Sequence, residues 1–339
     1  MLTLKDIAEE AGVSTVTVSN VINGKMSRVS RENATRIIKI IQKRRYVPNS
    51  SARTLAAKSS RIIAGVLLGG RGANMLKDPY NAEFFGELVC AVQERGYYLM
   101  IRYENSYEGL LQSLRSWNVD GAVFVGTPDA YINKIRKDIQ IPLIFTDSYA
   151  KGKGSCTVCI DDFKGGRLAA EHFLDKGHVH LGFVGYGLQK QEKNVVTERF
   201  NGFMSALKKR GVSVRKERRF YVADGDPSDD IQKIAARLKA EKNGITGVFV
   251  SADKLAIALM KALLEQGVRI PSDISVIGYD DLSSTSIISP ELTTIRQDIG
   301  KKAQIATDLL FSQIEGRGVS TLNTVLDVAL IERNSVRQN

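Results

Sequence analysis

The sequence predicts an α/β protein in two parts, a short all-α segment followed by a longer region of alternating strands and helices. Three observations carry this. Residues 1–46 show helical periodicity and no strand; from Ile62 onward short apolar runs alternate with amphipathic stretches. Charge is also uneven: residues 1–60 hold eleven Lys and Arg against four Asp and Glu, which is +7 of the chain's +11. Cations gathered near a phosphate backbone each release a counterion, so the imbalance points to a polyanion partner. On charge alone a basic solvated face is the alternative.

In the first part, Thr3 can cap a helix whose Leu4, Ile7, Ala8 and Ala11 line one face, and Gly12 ends it. Ser14 can cap a second helix, with Val18, Val21 and Ile22 inward, stopped by Asn23-Gly24. Ser30 can cap a third, running to about Arg44 with Ala34, Ile37, Ile38 and Ile41 apolar. Pro48 breaks the pattern, and Asn49 can cap a short segment from Ser50 to Ala57 before a linker at 58–61.

In the second part the strand candidates are Ile62–Leu68, Tyr98–Ile101, Ala122–Val125, Leu143–Phe145, Thr157–Ile160, His180–Val184, Arg219–Val222, Gly247–Val250 and Ser275–Ile277. Helix candidates between them include Phe84–Arg95, Arg167–Lys176, Arg199–Arg210, Ile231–Ala240 and Lys254–Gln266. A strand near Thr293–Ile295, a helix from Asp298 to Ile314 and a strand near Val325–Ile331 finish the chain. So many strands in βα alternation exceed one comfortable sheet, and two α/β subdomains joined by right-handed crossovers are expected.

With 339 residues, 43% apolar and 25% charged, the chain is long enough for two or three domains, and disordered, collagenous and coiled-coil classes are excluded. Three cysteines cannot staple it, which favours a reducing compartment. The N-terminus has no apolar h-region, and the longest apolar run, Ile62–Leu68, is far below the ~20 residues of a membrane span. A soluble, cytoplasmic protein is expected.

Helix, glycine turn, Ser/Thr-rich helix and third helix make the helix-turn-helix plan, whose second helix enters a major groove through short polar residues. The run Leu4-Lys-Asp-Ile-Ala-Glu-Glu-Ala-Gly-Val-Ser-Thr-Val-Thr-Val-Ser-Asn-Val-Ile-Asn23, followed by Tyr46-Val-Pro-Asn-Ser-Ser-Ala-Arg-Thr-Leu55, closely resembles the headpiece of lactose-repressor-type (LacI/GalR) regulators. The resemblance continues through Arg199-Phe-Asn-Gly-Phe203, Ile277-Gly-Tyr-Asp-Asp281, Pro290-Glu-Leu-Thr-Thr-Ile-Arg-Gln297 and Leu330-Ile-Glu-Arg333.

The resemblance implies a helix-turn-helix headpiece over 1–46, a hinge helix and linker over 47–61, and a two-lobed periplasmic-binding-protein-like effector and dimerisation domain over 62–339. Its N-terminal lobe would take about 62–160 plus 296–322, and its C-terminal lobe about 161–295 plus 323–339. Thr15, Val16 and Asn20 match base-reading positions: an amide at Asn20 suits an adenine edge, and the Val16 methyls suit a thymine methyl. Ser14, Thr17 and Asn23, with Thr3 and Tyr46 outside the helix, match phosphate partners. Asn49, Ala52 and Leu55 fall in the hinge, where Leu55 matches a minor-groove wedge. A segment that short is marginal as an isolated helix, so it should order only on DNA beside a second subunit.

In the effector domain, Asp147 after one strand, Asp280 after another and Arg199 at the start of a helix are expected to converge on a cleft. Two carboxylates and a guanidinium there suit a polyol, because each can hold adjacent hydroxyls. Phe84 matches a ring-stacking position and Gln297 a polar position of the lobe crossover; an ordinary core aromatic or loop polar residue is the alternative for each. Val125, Ala252 and Pro227 depart from the sugar-binding members of the family, which leaves the ligand's identity open.

Other signals are weaker. Cys156 and Cys159, three apart on a strand, face opposite ways and cannot chelate together. His172, His178 and His180 lack a fourth ligand. Gly69-Gly-Arg-Gly72 lacks the spacing of a phosphate loop. No cofactor or metal is expected, and no acid, base and nucleophile assemble. The expected protein is a homodimeric DNA-binding regulator, most simply a repressor, that meets a pseudo-palindromic double-stranded operator and a small effector, a sugar or sugar derivative. A purine-type co-repressor system is the alternative within the class; a solute-binding protein and a sugar-active enzyme are the alternatives outside it.

Overall fold

The computed structural model describes residues 2–22, 24–46, 59–68, 75–149, 156–187, 194–223, 227–241, 244–318 and 323–339. It divides into two compact units, Met1–Arg61 and Ile62–Asn339. The expected hinge helix, with Asn49, Ala52 and Leu55, lies outside the described residues, as does Asn23.

Among its described residues the first unit packs three α-helices: α1 (Leu4–Ala11), α2 (Thr15–Ile22) and α3 (Arg31–Arg44). Thr3 caps α1 in a reciprocal capping box with Asp6, and Gly12 ends it in the left-handed conformation that a residue without Cβ adopts at no steric cost. Ser30 caps α3 through the Asn33 amide. Ile7, Ala8, Ala11, Val18, Val21, Ile37 and Tyr46 form the core of this small unit.

The second unit holds two six-stranded sheets. The first is built from β1 (Ile62–Leu68), β2 (Tyr98–Glu104), β3 (Gly121–Val125), β4 (Leu143–Thr146) and β5 (Thr157–Ile160), with α4 (Pro79–Glu94), α5 (Tyr107–Ser116) and α6 (Asp129–Asp138) between them. After the crossover come α7 (Asp162–Asp175), β6 (Leu181–Tyr186), α8 (Val195–Lys209), β7 (Arg219–Val222), α9 (Ser228–Ala240), β8 (Gly247–Val250), α10 (Asp253–Glu265), β9 (Ser275–Asp280) and β10 (Thr293–Gln297). Then α11 (Ile299–Ile314) returns to the first lobe, and β11 (Asn323–Leu326) and β12 (Val328–Ile331) close the sheets.

Both sheets repeat one order, β2-β1-β3-β4-β5 and β7-β6-β8-β9-β10. Among the described residues all strand pairings are parallel except β10 with β12. In such sheets the strand order reverses between the first and third strands, and a crevice opens beyond their carboxyl ends. The fold therefore places one crevice edge beside Leu68 and Gly126 and the other beside Tyr186 and Ser251.

The chain crosses between lobes three times, at Asp161, Asp298 and Asp327. The first two cap the following helices through the Lys164 and Lys301 amides. Asp327 accepts from the Val328 amide and pairs with Lys164. The third crossing corrects the expected lobe boundary: residues 323–326 pair with β5 in the first sheet, so the expected strand Val325–Ile331 is two strands in different lobes. Apolar character runs through both, and only Asp327 marks the break.

His178 has a structural role. Its Nε2 lies 3.0 Å from the Arg337 carbonyl oxygen and its Nδ1 2.9 Å from the Thr246 hydroxyl, and the ring is fully buried. Burial holds its pKa below the ordinary 6.5; the hydrogen bond to the Arg337 carbonyl opposes this, and the Arg337 and His172 charges add to it. The unfolded chain thus takes up this proton first as pH falls, so stability from His178 is present above about 6.5 and is lost below it. His178→Gln should be less stable than the parent at pH 7.5, by a margin that shrinks at pH 5.5 in urea denaturation. A constant margin would rule the linkage out.

Candidate functional site

On the first unit, α2 presents an unusual surface. Val18 and Val21 are buried, whereas Val16 is 66% exposed and Thr15 beside it is exposed too. An apolar side chain held outward among hydroxyls, on a helix anchored by its opposite face, suits groove readout. Ser14 caps the helix through the Thr17 amide at 3.2 Å, and its hydroxyl lies 2.9 Å from that of Thr17. The Asn20 side-chain amide has no partner among the described residues. Thr3 is exposed with its hydroxyl on Asp6, at 2.8 Å. Tyr46 differs from expectation: its ring is buried in the core of the unit, which makes it first a packing residue.

On the second unit, a cleft of about 220 Å³ opens where the topology requires. Leu67, Leu68, Val125 and Gly126 line it from the first lobe, and Tyr186, Val196, Ser251 and Ala252 from the second. Asp147, Arg199, Asp280 and Gln297 all reach it, as expected from the sequence. Phe84 does not. It is wholly buried in the core of the first lobe, stacked at 6.4 Å on Tyr80, and Tyr80, one helical turn earlier, lines the cleft instead. Pro227 precedes α9 and is not among the lining residues.

Arg199 sits in the second turn of α8, because the helix starts at Val195. Its Nε donates to Asp162 Oδ1 at 2.7 Å and its Nη1 to the Ser251 carbonyl at 2.6 Å. Nη1 is also 3.5 Å from Asp280 Oδ1, and the guanidinium lies 3.6 Å over the Tyr279 ring. Two glycines make this possible. A Cβ on Gly166 would stand 1.8 Å from the Arg199 carbonyl oxygen, and one on Gly202 would stand 1.9 Å from that of Phe163. Without side chains there, α7 and α8 pack backbone to backbone, which brings Asp162 against Arg199.

From Arg199 a buried polar circuit runs through both lobes. Gln297 Nε2 donates to Asp280 Oδ1 at 2.6 Å, and Lys302 Nζ donates to Gln297 Oε1 at 2.6 Å. Lys302 also donates to Asp147 Oδ1 at 2.7 Å and to the Tyr80 hydroxyl at 2.9 Å, while Tyr80 donates to Asp147 Oδ2 at 2.6 Å. At the other end Tyr149, in the first lobe, donates to Asp162 Oδ2. Lys254 of α10 pairs with Asp78, the cap of α4, across the lobes at 3.2 Å.

The backbone is strained at the same place. Asp147, Asp280 and Asp281 have φ of 54°, 122° and 59°, a region costly for residues with a Cβ and found mostly at functional sites. Burial pushes the Asp280 carboxyl up to about 8; Asp253 pushes the same way, while Arg199 opposes. Burial likewise raises Asp162, against Arg199. Burial also works against the charge on Arg199, but Asp162 and Asp280 outweigh it and hold the guanidinium cationic.

Sequence reasoning missed Tyr80, Asp162 and Lys302. Lys302 carried a readable signal: it falls with Ile299, Ala303, Ala306 and Leu310 on the apolar face of its helix, where a lysine needs buried partners. Tyr80 and Asp162 lie in first helical turns that the apolar periodicity does not reach. Cys159 donates to the Ser148 carbonyl, and among the described residues no group of His, Cys, Asp and Glu could hold a metal. No helix among the described residues is long and apolar enough to cross a membrane.

A cationic helix-turn-helix unit followed by a two-lobed α/β unit with a polar crevice defines a DNA-binding protein that answers to a small molecule. The comparisons agree. Residues 3–49 match the family described as bacterial regulatory proteins, lacI family, and residues 170–336 match the periplasmic binding protein-like domain. The HTH-type transcriptional repressor PurR of Actinobacillus pleuropneumoniae is 31% identical, covering 93% of this chain and 92% of its own. The PurR of Pasteurella multocida is 30% identical over 99% of each. Among solved structures, the lac repressor dimer bound to operator and the anti-inducer ONPF superposes with TM-score 0.85 at 25% identity and 99% coverage of both chains. A LacI family regulator from Enterococcus faecium with bound ribose superposes with TM-score 0.70 at 28% identity, covering 82% of this chain and 99% of that one. The chain belongs to the LacI family of bacterial transcriptional regulators. It is a DNA-binding repressor with a small-molecule effector.

Proposed function

We propose that the effector is a neutral polyol, a sugar or sugar derivative, bound in the cleft by Asp147, Arg199, Asp280 and Gln297, with Ser251 beside them. One observation carries this reading: hydrogen-bonding capacity left open on the wall of the second lobe. Among the described residues the fully buried Ser251 hydroxyl has no partner, and Asp280 Oδ2 and Arg199 Nη2 accept or donate no hydrogen bond. Buried groups of this kind call for hydroxyls to complete them. The Enterococcus faecium regulator carries ribose, which supports the same reading. The PurR relatives and the two rings at the cleft, Tyr80 and Tyr186, favour a purine as the second reading.

On DNA, two copies of the chain read a pseudo-palindrome. Thr15, Val16 and Asn20 meet base edges; Thr3, Ser14, Thr17 and Asn23 meet phosphates, with Tyr46 at most through its edge. Asn49 and Ala52 belong to the hinge, and Leu55 wedges the centre of the site. A palindrome selected from random DNA, titrated with the protein alone and with panels of sugars and purines, tests the whole. A sugar should change operator affinity at least tenfold. If only a purine does so, the second reading replaces the first; if no oligonucleotide outcompetes bulk DNA, the reader is wrong. Leu55→Ala should weaken specific binding more than non-specific binding, and equal loss of both would remove the wedge.

A further inference from the structure

We propose that Lys302 is a positioning residue that couples the two lobes before any effector arrives. Its three N–H groups go to three different places: the Tyr80 hydroxyl and Asp147 Oδ1 in the first lobe, and Gln297 Oε1 at the end of β10 in the second. The side chain is wholly buried, and a buried ammonium is tolerated only when paired and fully hydrogen-bonded. All three donors of Lys302 are occupied within the protein, so it offers nothing to a ligand directly. What it does is fix the groups that can.

Asp147 has both oxygens held, one by Lys302 and one by Tyr80, in a left-handed backbone conformation that confines it further. Gln297 is held at both ends, its oxygen by Lys302 and its nitrogen on Asp280, which lines the cleft with its second oxygen open. A ligand drawing on Asp280 therefore pulls on Gln297 and, through Lys302, on Asp147 across the cleft. The physical link is a chain of short hydrogen bonds with one cation at its middle, not mere proximity. This inference does not depend on whether the effector is a sugar or a purine.

The test uses the full-length chain without ligand. Cys90, the exposed cysteine, is replaced by Ser, and nitroxide labels are placed at Asn133→Cys on α6 and Lys233→Cys on α9. Labelled subunits are diluted with unlabelled ones, and the label distance is measured by pulsed electron paramagnetic resonance. The parent should give one narrow distribution; Lys302→Met should broaden it and shift its mean while far-UV circular dichroism stays unchanged. Gln297→Leu, which cuts the bond between lobes but leaves Lys302 paired with Asp147, should move the distribution the same way. A folded Lys302→Met protein with the parent's distribution would overturn the proposal. If Lys302→Met does not fold, Gln297→Leu decides alone, and an unchanged distribution again overturns it. Because no ligand is present, this result stands apart from failure of the effector reading.

Discussion

Arg199→Met should destabilise the effector unit by about 3–5 kcal/mol, the range for removing one partner of a buried ion pair. Arg199 is 5% exposed, and its guanidinium sits between Asp162 and Asp280, both similarly buried. Methionine fills much of the volume but leaves two carboxyls without a cation and the Ser251 carbonyl without its donor. The sign with pH follows. Burial already raises Asp162 and Asp280, and a carboxyl raised in the fold holds its stabilisation at low pH and loses it as pH rises through the folded value. The variant should therefore lose more stability at pH 8.5 than at pH 6 in urea denaturation. Operator affinity should survive wherever the protein stays folded, while the response to any effector disappears. An intact response would show that Arg199 holds the lobe together without touching the ligand.

Asn20→Ala should cost about 1–3 kcal/mol of specific operator binding, a loss of roughly five- to 150-fold, and relax the preference at one base pair. The residue lies on the face of α2 that also carries exposed Val16, and its side-chain amide has no partner among the described residues. A lysine nearby gives the contrast. Lys25→Ala removes one cation and should weaken all sequences alike, reducing the salt dependence of binding by about one ion. Competition titrations over a salt series, with operator and scrambled duplex, separate the two. If Asn20→Ala lowered both affinities equally, the side chain would be a phosphate partner and not a base reader.

The fold was legible where one periodicity ruled a segment. The three headpiece helices and most strands of the effector unit stand within a residue or two of where their apolar spacing put them. The errors share a cause. Helices α4, α7 and α8 begin four or five residues before their apolar stripes: the first turns of α4 and α8 line the cleft, and that of α7 sets Asp162 against Arg199. Those turns carry Tyr80, Asp162 and the approach to Arg199, so the pattern that locates a core helix hides the polar residues of the candidate site. Phe84 shows the converse: an aromatic at a matching position that joins the core with Phe85, Leu88 and Val92 of the same helix. Asp280 was placed beyond a strand that in fact includes it, since the polar end of β9 looks like a loop from composition alone.

The three crossings at Asp161, Asp298 and Asp327 have a practical consequence for genetics. Neither lobe is a contiguous stretch of gene: the first sheet needs β11, which is encoded after nearly all of the second lobe, and the second needs β12, later still. A premature stop codon anywhere before Asn323 strips an edge strand from both sheets at once. Deletion mapping from the 3′ end will therefore report one essential block and will never separate ligand recognition from assembly; point substitutions are the only scalpel fine enough.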